Sequence, residues 1–362
     1  MNAKPGKGRS SVRYAGLVAG LLAVSLALLA ASCGQSDKPV QLNGAGASFP
    51  YPLYTKWLAE YKKVRPQVTI DYQSIGSGGG IKGITERTLD FAGSDAPMTD
   101  EQLSRAPGAI LHIPAVAGAV AVTYNLPELG ATLKLTPEIL AGIFLGEIKK
   151  WNDPRLAEAN PGVRLPERDI VVVHRSDGSG TTNIFTDYLS KVSPVWKERV
   201  GKGTSVQWPT GVGAKGNEGV AGQVRQTPGS IGYVELAYAI QNRLPYAELR
   251  NAAGRFVAPS LETTTAAMAG AAAQMPADMR VSIVNAPGEN AYPIAGFTYL
   301  LVYKDQQDQA KGKALAEFLW WAIHEGQKHA PELLYAPLPS NVVQLAEAKI
   351  KEIIHNGRPF IR

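Results

Sequence analysis

From residue 40 onward the chain alternates short apolar runs with amphipathic stretches, the pattern of an α/β fold. Residues 68–73, 110–114, 118–125, 170–175, 230–236 and 297–304 are predicted strands. Helices are predicted between them. Residues 52–63 place Leu53, Trp57, Leu58 and Tyr61 on one face. Residues 136–144 open with Thr136-Pro137-Glu138, an N-cap followed by proline at the first helical position. Thr99-Asp100-Glu101-Gln102 has the order of a capping box. The Ala-rich segment 263–274 reads as a helix that packs through small side chains. Residues 341–355 read as a last helix, with Val342, Leu345, Ile350 and Ile353 at helical spacing.

One local pattern recurs three times: a strand, a turn of small residues, then a helix. The turns lie at residues 42–50, 75–80 and 174–182, the second leading into a helix expected at 81–88. Glycine lets a backbone approach an anion closely. The first turn of a helix presents N–H groups without internal partners, and its dipole favours negative charge. Ser48, Ser77, Ser179 and Thr181 add hydroxyl donors. Arg175, in the third turn, supplies a fixed positive charge able to bond two oxygens of a tetrahedral oxyanion. Asp177 is placed two residues on to pair with it and hold its orientation.

Asp95 stands apart, because a carboxylate repels an anion unless that anion carries a proton for it to accept. Hydrogen phosphate has such a proton at neutral pH and sulfate does not, so a buried Asp95 would discriminate between them. Local sequence equally allows Asp95 to cap the helix that begins near Thr99, and the residues alone do not separate the two readings.

Composition narrows the field. Apolar residues make up 45% and charged residues 19%, and 362 residues suffice for two domains with sizeable cores. The formal charge of +6 is concentrated at the start: Lys4, Lys7, Arg9 and Arg13 precede residues 15–31, a 17-residue apolar stretch. This reads as a secretory signal over residues 1–32. Without it, 33 basic residues face 31 acidic ones, which gives no basis for nucleic-acid binding. Cys33 is the only cysteine, so no disulfide forms within the chain, and its place after Leu29-Ala30-Ala31-Ser32 suits lipidation, with residues 33–40 as a tether.

Enzyme readings fare poorly. Residues 211–216 mimic a phosphate loop but lack the Gly-Lys-Ser/Thr ending. Neither Ser77 nor Ser179 sits in Gly-x-Ser-x-Gly, and His174 alternates with its neighbours on a strand that should point it away from the turn. His324 and His329 are one residue too far apart for a zinc-protease pair. Trp151, Trp208, Phe318, Trp320 and Trp321 are expected to pack. No metal or other cofactor is expected.

Six stretches together resemble the phosphate-binding proteins of bacterial ABC importers: GAGASFPYPLYTKW (44–57), YQSIGSGGGIKGI (72–84), DFAGSDAPMTDEQL (90–103), HRSDGSGTTNIFTDYL (174–189), WPTGVGAKGNEGVAGQV (208–224) and GSIGYVELAYA (229–239). The resemblance covers most of residues 42–345. It implies the two-lobed periplasmic-binding-protein fold (type II), with residues 41–116 and 291–362 in one lobe, 117–290 in the other, and the ligand between them. It further implies a binding protein, not an enzyme, that is monomeric and extracytoplasmic and delivers inorganic phosphate to membrane permease subunits and their ATPase. By motif position, Ala47, Ser48, Phe49 (through its N–H) and Ser77 would hold phosphate from one side, with Asp95 accepting its proton. Arg175, Ser179, Gly180 and Thr181 would close from the other, with Asp177 supporting Arg175. Two departures are minor: Ser48 stands where many relatives have Thr, and three glycines follow Ser77 where many have a second serine.

Overall fold

A computed structural model describes residues 39–272 and 275–362. The expected signal sequence, Cys33 and most of the tether lie outside the described residues. The frame is one mixed sheet of eight strands, numbered here in chain order: β1 (Val40–Gly46), β2 (Val68–Ser74), β3 (Phe91–Ser94), β4 (Ile110–Tyr124), β5 (Val171–Arg175), β6 (Val212–Ala214), β7 (Ser230–Glu235) and β8 (Ala295–Tyr303). Their spatial order is β2-β1-β3-β8-β4-β7-β5-β6. β1 runs parallel to β2 and β3, while β8 runs antiparallel to both β3 and β4.

β4 joins the two halves of the sheet. Its residues from Ile110 to Ala119 pair with β8, and those from Val120 to Tyr124 pair with β7. Beyond β7 the order continues with parallel β5 and β6. β4, β7 and β8 are buried along their whole length, which explains why they read as continuous apolar runs rather than alternating ones.

The sequence suggested two strands, 110–114 and 118–125, where one continuous strand stands. Pro114 lacks the N–H that an unbroken ladder needs. The register against β8 shifts between Thr298 and Tyr299, and this bulge absorbs the proline without ending the strand. Three boundaries also move. β1 extends to Gly46, so the first turn shortens to the residues just before Tyr51. The helix after the second turn begins at Ser77 rather than 81. The last helix ends at Lys351, and Leu345, expected on its buried face, is 38% exposed.

Four helices bear on the site: α1 (Tyr51–Val64), α2 (Ser77–Thr85), α3 (Gly180–Val192) and α4 (Gly216–Gln226). Local chemistry sets several helix starts as expected. Thr99 forms the capping box with Gln102, and Thr136 caps the helix whose first residue is Pro137. The helix Leu261–Ala272 buries Thr264, Ala267 and Met268, as its small-residue composition suggested.

The tryptophans pack as expected. Trp57, Tyr61, Phe318 and Trp321 cluster beneath one half of the sheet. Beneath the other, Trp208 stacks on His174 at 4.8 Å and on Tyr233 at 5.8 Å. Trp151 is fully buried and donates to the Gly229 carbonyl. His324 bonds Glu347, and among the described residues no cluster of His, Cys, Asp and Glu could hold a metal. Among them, too, no helix is long and apolar enough to cross a membrane.

Candidate functional site

The three turns converge. Each follows the end of a strand and leads into the first turn of α1, α2 or α3. Gly76 precedes α2 with φ +83°, a left-handed conformation that glycine adopts without strain. From it the α2 start approaches the third turn so closely that the Gly78 N–H donates to the Gly178 carbonyl at 2.8 Å. Gly180 opens α3 directly against Ser77 and Asp95. A Cβ there would lie 2.4 Å from Ser77 Oγ and 2.6 Å from Asp95 Cβ, so only glycine permits the approach.

Ser48, Ser77, Asp95, Arg175, Ser179 and Thr181 are all buried, although six polar side chains in one place are costly unless they are paired. Most of the pairing is internal. Arg175 donates from Nε to Asp177 Oδ1 at 2.7 Å and from Nη2 to Asp177 Oδ2 at 2.6 Å; the pairing was expected from sequence, but its bidentate geometry was expected toward the anion and is found toward Asp177. Asp177 also accepts the Gly216 N–H at 3.1 Å. Burial works against its negative charge, but the Arg175 hydrogen bonds and charge outweigh it and hold the carboxyl below its ordinary range. The remaining guanidinium nitrogen, Nη1, lies 3.4 Å from Thr181 Oγ1.

Asp95 caps no helix, since Thr99 fills that role. Thr298 donates to its Oδ1 at 2.7 Å, and Ser77 Oγ lies 3.5 Å from its Oδ2. The Asp95 N–H donates to the same Ser77 oxygen at 3.2 Å. Burial pushes the Asp95 carboxyl up to about 7, against the lowering effects of Thr298, Arg175 and Ser77. At neutral pH it therefore stands at the balance point between holding a proton and accepting one. A groove of about 290 Å³, lined by Phe297, Arg280 and Lys202 among others, opens onto Asp95.

Backbone donors complete the set. Ser179 caps α3 by accepting the Thr182 N–H, leaving the Gly180 and Thr181 amides without intrahelical acceptors. Among the described residues no acceptor meets the Phe49 N–H, whereas its carbonyl accepts from Tyr335. Ala47 is the exception. Its N–H donates to the Gly93 carbonyl and its own carbonyl accepts from Tyr72, so it shapes the wall and has no donor to offer.

Three residues escaped sequence reasoning. Asn217, fully buried at the start of α4, donates from Nδ2 to Ser48 Oγ at 2.9 Å and to Thr181 Oγ1 at 3.0 Å. Thr298 holds one oxygen of Asp95 from the middle of a wholly buried strand. Glu235, fully buried, accepts from Tyr335 at 3.0 Å and from the Ala237 N–H at 2.9 Å. Burial raises the Glu235 carboxyl well above its ordinary range, which favours the neutral form below the site. Asn217 and Glu235 lie inside recognisable motifs, which was the one signal available. Thr298 carried none.

The arrangement is a buried cluster of N–H and O–H donors around the Arg175 guanidinium and the Asp95 carboxyl, whose proton affinity is raised. Known proteins resemble the chain over most of its length. The PBP superfamily domain matches residues 34–325. The phosphate-binding protein PstS of Xylella fastidiosa is 50% identical over 87% of this chain and 86% of its own length. That of Pasteurella multocida is 48% identical over 91% of this chain and 95% of its own. The solved structure of a phosphate-binding protein from Stenotrophomonas maltophilia shares the fold, with a TM-score of 0.67 at 22% identity over 85% of this chain and 93% of its own. A PBP-superfamily match across most of the chain and two PstS proteins sharing about half its residues make this protein a member of the PstS family of phosphate-binding proteins.

Proposed function

We propose that the chamber holds inorganic phosphate and that the protein delivers it to the permease subunits and ATPase of an ABC importer. It is a substrate-binding protein and not an enzyme. Asp95 carries the reading: a buried carboxyl, its proton affinity raised to about pH 7, among donors otherwise suited to an anion. With its carboxyl ionised, Asp95 accepts a hydrogen bond from hydrogen phosphate and stands face to face with a second negative group if sulfate enters.

In this reading Ser48, the Phe49 N–H and Ser77 bind from one lobe, formed by residues 41–116 and 291–362. Arg175, Ser179, Gly180 and Thr181 bind from the other, residues 117–290, with Asp177 orienting Arg175. The change of partner along β4 at Ala119 and Val120 supports a division near these boundaries. Each hydrogen bond to a charged group contributes about 1.5–3 kcal/mol. After the cost of association and closure, several such bonds leave roughly 8 kcal/mol, a micromolar dissociation constant. The protein acts outside the cytoplasmic membrane as a monomer, anchored by lipidation of Cys33 after removal of residues 1–32. Intact mass of the membrane-extracted protein checks the anchor, and an unmodified N-terminus beyond Cys33 overturns it.

The test of function is calorimetric titration of the anion-stripped protein with phosphate, sulfate and molybdate separately at neutral pH. Micromolar or tighter binding of phosphate alone supports the reading. Binding of sulfate or molybdate instead keeps the binding protein and changes its ligand. No oxyanion binding overturns it.

A further inference from the structure

Asn217 touches both sides of the chamber while presenting no atom of its own that the anion needs. Its backbone N–H donates to Ser48 Oγ at 3.1 Å, and its Nδ2 donates to the same oxygen at 2.9 Å. Nδ2 also donates to Thr181 Oγ1 at 3.0 Å. The fourth bond settles which way the amide faces. Asn217 Oδ1 accepts the Glu235 N–H at 2.9 Å, and a backbone N–H can only donate, so the oxygen must lie on that side and the nitrogen on the side of the hydroxyls.

This geometry constrains two protons. A hydroxyl has one proton and two lone pairs. Both lone pairs of Ser48 Oγ face donors on Asn217, so its proton has to turn elsewhere. Thr181 Oγ1 receives Asn217 Nδ2 on one side and Arg175 Nη1, at 3.4 Å, on the other, so its proton is turned away as well. The two hydroxyls come from turns at the starts of different helices, yet one amide sets the direction of both.

We propose that Asn217 is a positioning residue that makes Ser48 and Thr181 obligate donors toward the bound anion, so that neither competes with Asp95 for the ligand's proton. A freely rotating hydroxyl could accept a proton from a ligand as readily as donate one. With Asn217 in place, neither hydroxyl has that option. Discrimination by Asp95 is then not diluted by these two hydroxyls. The inference builds on the reading of the chamber as a phosphate site.

A double-mutant cycle tests it, with phosphate affinity measured calorimetrically for the wild type, Asn217→Ala, Ser48→Ala and the double variant. Melting without phosphate serves as the control for folding. If Asn217 acts through the hydroxyls, Asn217→Ala weakens phosphate binding roughly 10- to 100-fold, the range of one or two hydrogen bonds to a charged ligand. In the Ser48→Ala background its effect should shrink by at least about threefold, because one of its two targets is already gone. An effect of Asn217→Ala that is equal or larger in that background, including a double variant without measurable binding, overturns the inference. If Asn217→Ala melts early, Asn217→Ser, which retains a polar partner for the Glu235 N–H, replaces it in the same cycle. A wild type that binds no phosphate overturns the phosphate reading itself; an additive cycle in a binding-competent protein overturns only the role of Asn217.

Discussion

Asp177 occupies two of the three guanidinium nitrogens of Arg175, at 2.7 and 2.6 Å, and so turns the third toward Thr181 and the chamber. Only 1% of the Arg175 side chain is exposed. Removing one partner of a buried pair strands the other charge, at about 3–5 kcal/mol. Asp177 keeps 14% of its side chain exposed, so Asp177→Ala is expected to cost about 3 kcal/mol, the low end of that range. Denaturant unfolding of the phosphate-free protein measures it. Phosphate binding should weaken about tenfold or more, because Arg175 loses the partner that aims it.

Asp95→Asn replaces an acceptor for the ligand proton with a side chain that can also donate. If the charge on Asp95 is what disfavours sulfate in the wild type, sulfate should then bind, and the ratio of phosphate to sulfate affinity should fall by at least about tenfold. Competition titration with both anions reads this ratio. An unchanged ratio would mean that Asp95 is not the selecting group.

The same carboxyl makes stability depend on pH. In the unfolded chain Asp95 titrates near 3.8, and burial in the folded state moves it to about 7. The folded state thus holds the proton more tightly. The resulting stabilisation is complete below about pH 4 and is lost as pH rises through 7. His112, which burial lowers to about 4, acts in the opposite sense between its folded and unfolded values, so the comparison must be between proteins and not between pH values alone. Without phosphate, Asp95→Asn should gain on the wild type by about 2–4 kcal/mol from pH 4 to 7 and no further above it. A constant difference across that range would refute the assignment.

Gly180→Ala should separate binding from folding. The added methyl would lie 2.4 Å from Ser77 Oγ and 2.6 Å from Asp95 Cβ, contacts that opening of a hinge between the proposed lobes would relieve. Phosphate affinity should drop at least about tenfold while the phosphate-free melting temperature stays nearly unchanged. In X-ray scattering the wild type should become more compact on adding phosphate and the variant should respond less. Superimposable wild-type profiles with and without phosphate would remove the hinge from the account.

Thr298→Val removes the hydroxyl that donates to Asp95 Oδ1 and lowers its proton affinity. The pH above which the phosphate-free protein stops losing stability through Asp95 should therefore rise above 7. A thermal-melt series across pH 6–9, set against Asp95→Asn, detects the displacement.

The sequence by itself determined what depends on neighbours in the chain. A glycine before a helix start, a hydroxyl within its first turn and a carboxylate two residues from an arginine act over a single turn of backbone. Ser48, Ser77, Ser179, Thr181 and the Arg175–Asp177 pair could therefore be read in advance, as could the caps at Thr99 and Thr136. Tertiary structure decided whatever required distant segments to meet. Pro114 sits inside one long strand because a bulge against β8 takes up its missing N–H, and Leu345 is exposed because none of the described residues covers that side of the last helix. Ala47 gives its amide to Gly93, a partner 46 residues away. Asn217 reaches Ser48 across 169 positions and Thr298 reaches Asp95 across 203, and no local periodicity records either pairing. Local backbone chemistry creates the donors, but burial and long-range partners set the direction of their protons and the charge on Asp95, because both depend on which groups replace water around them.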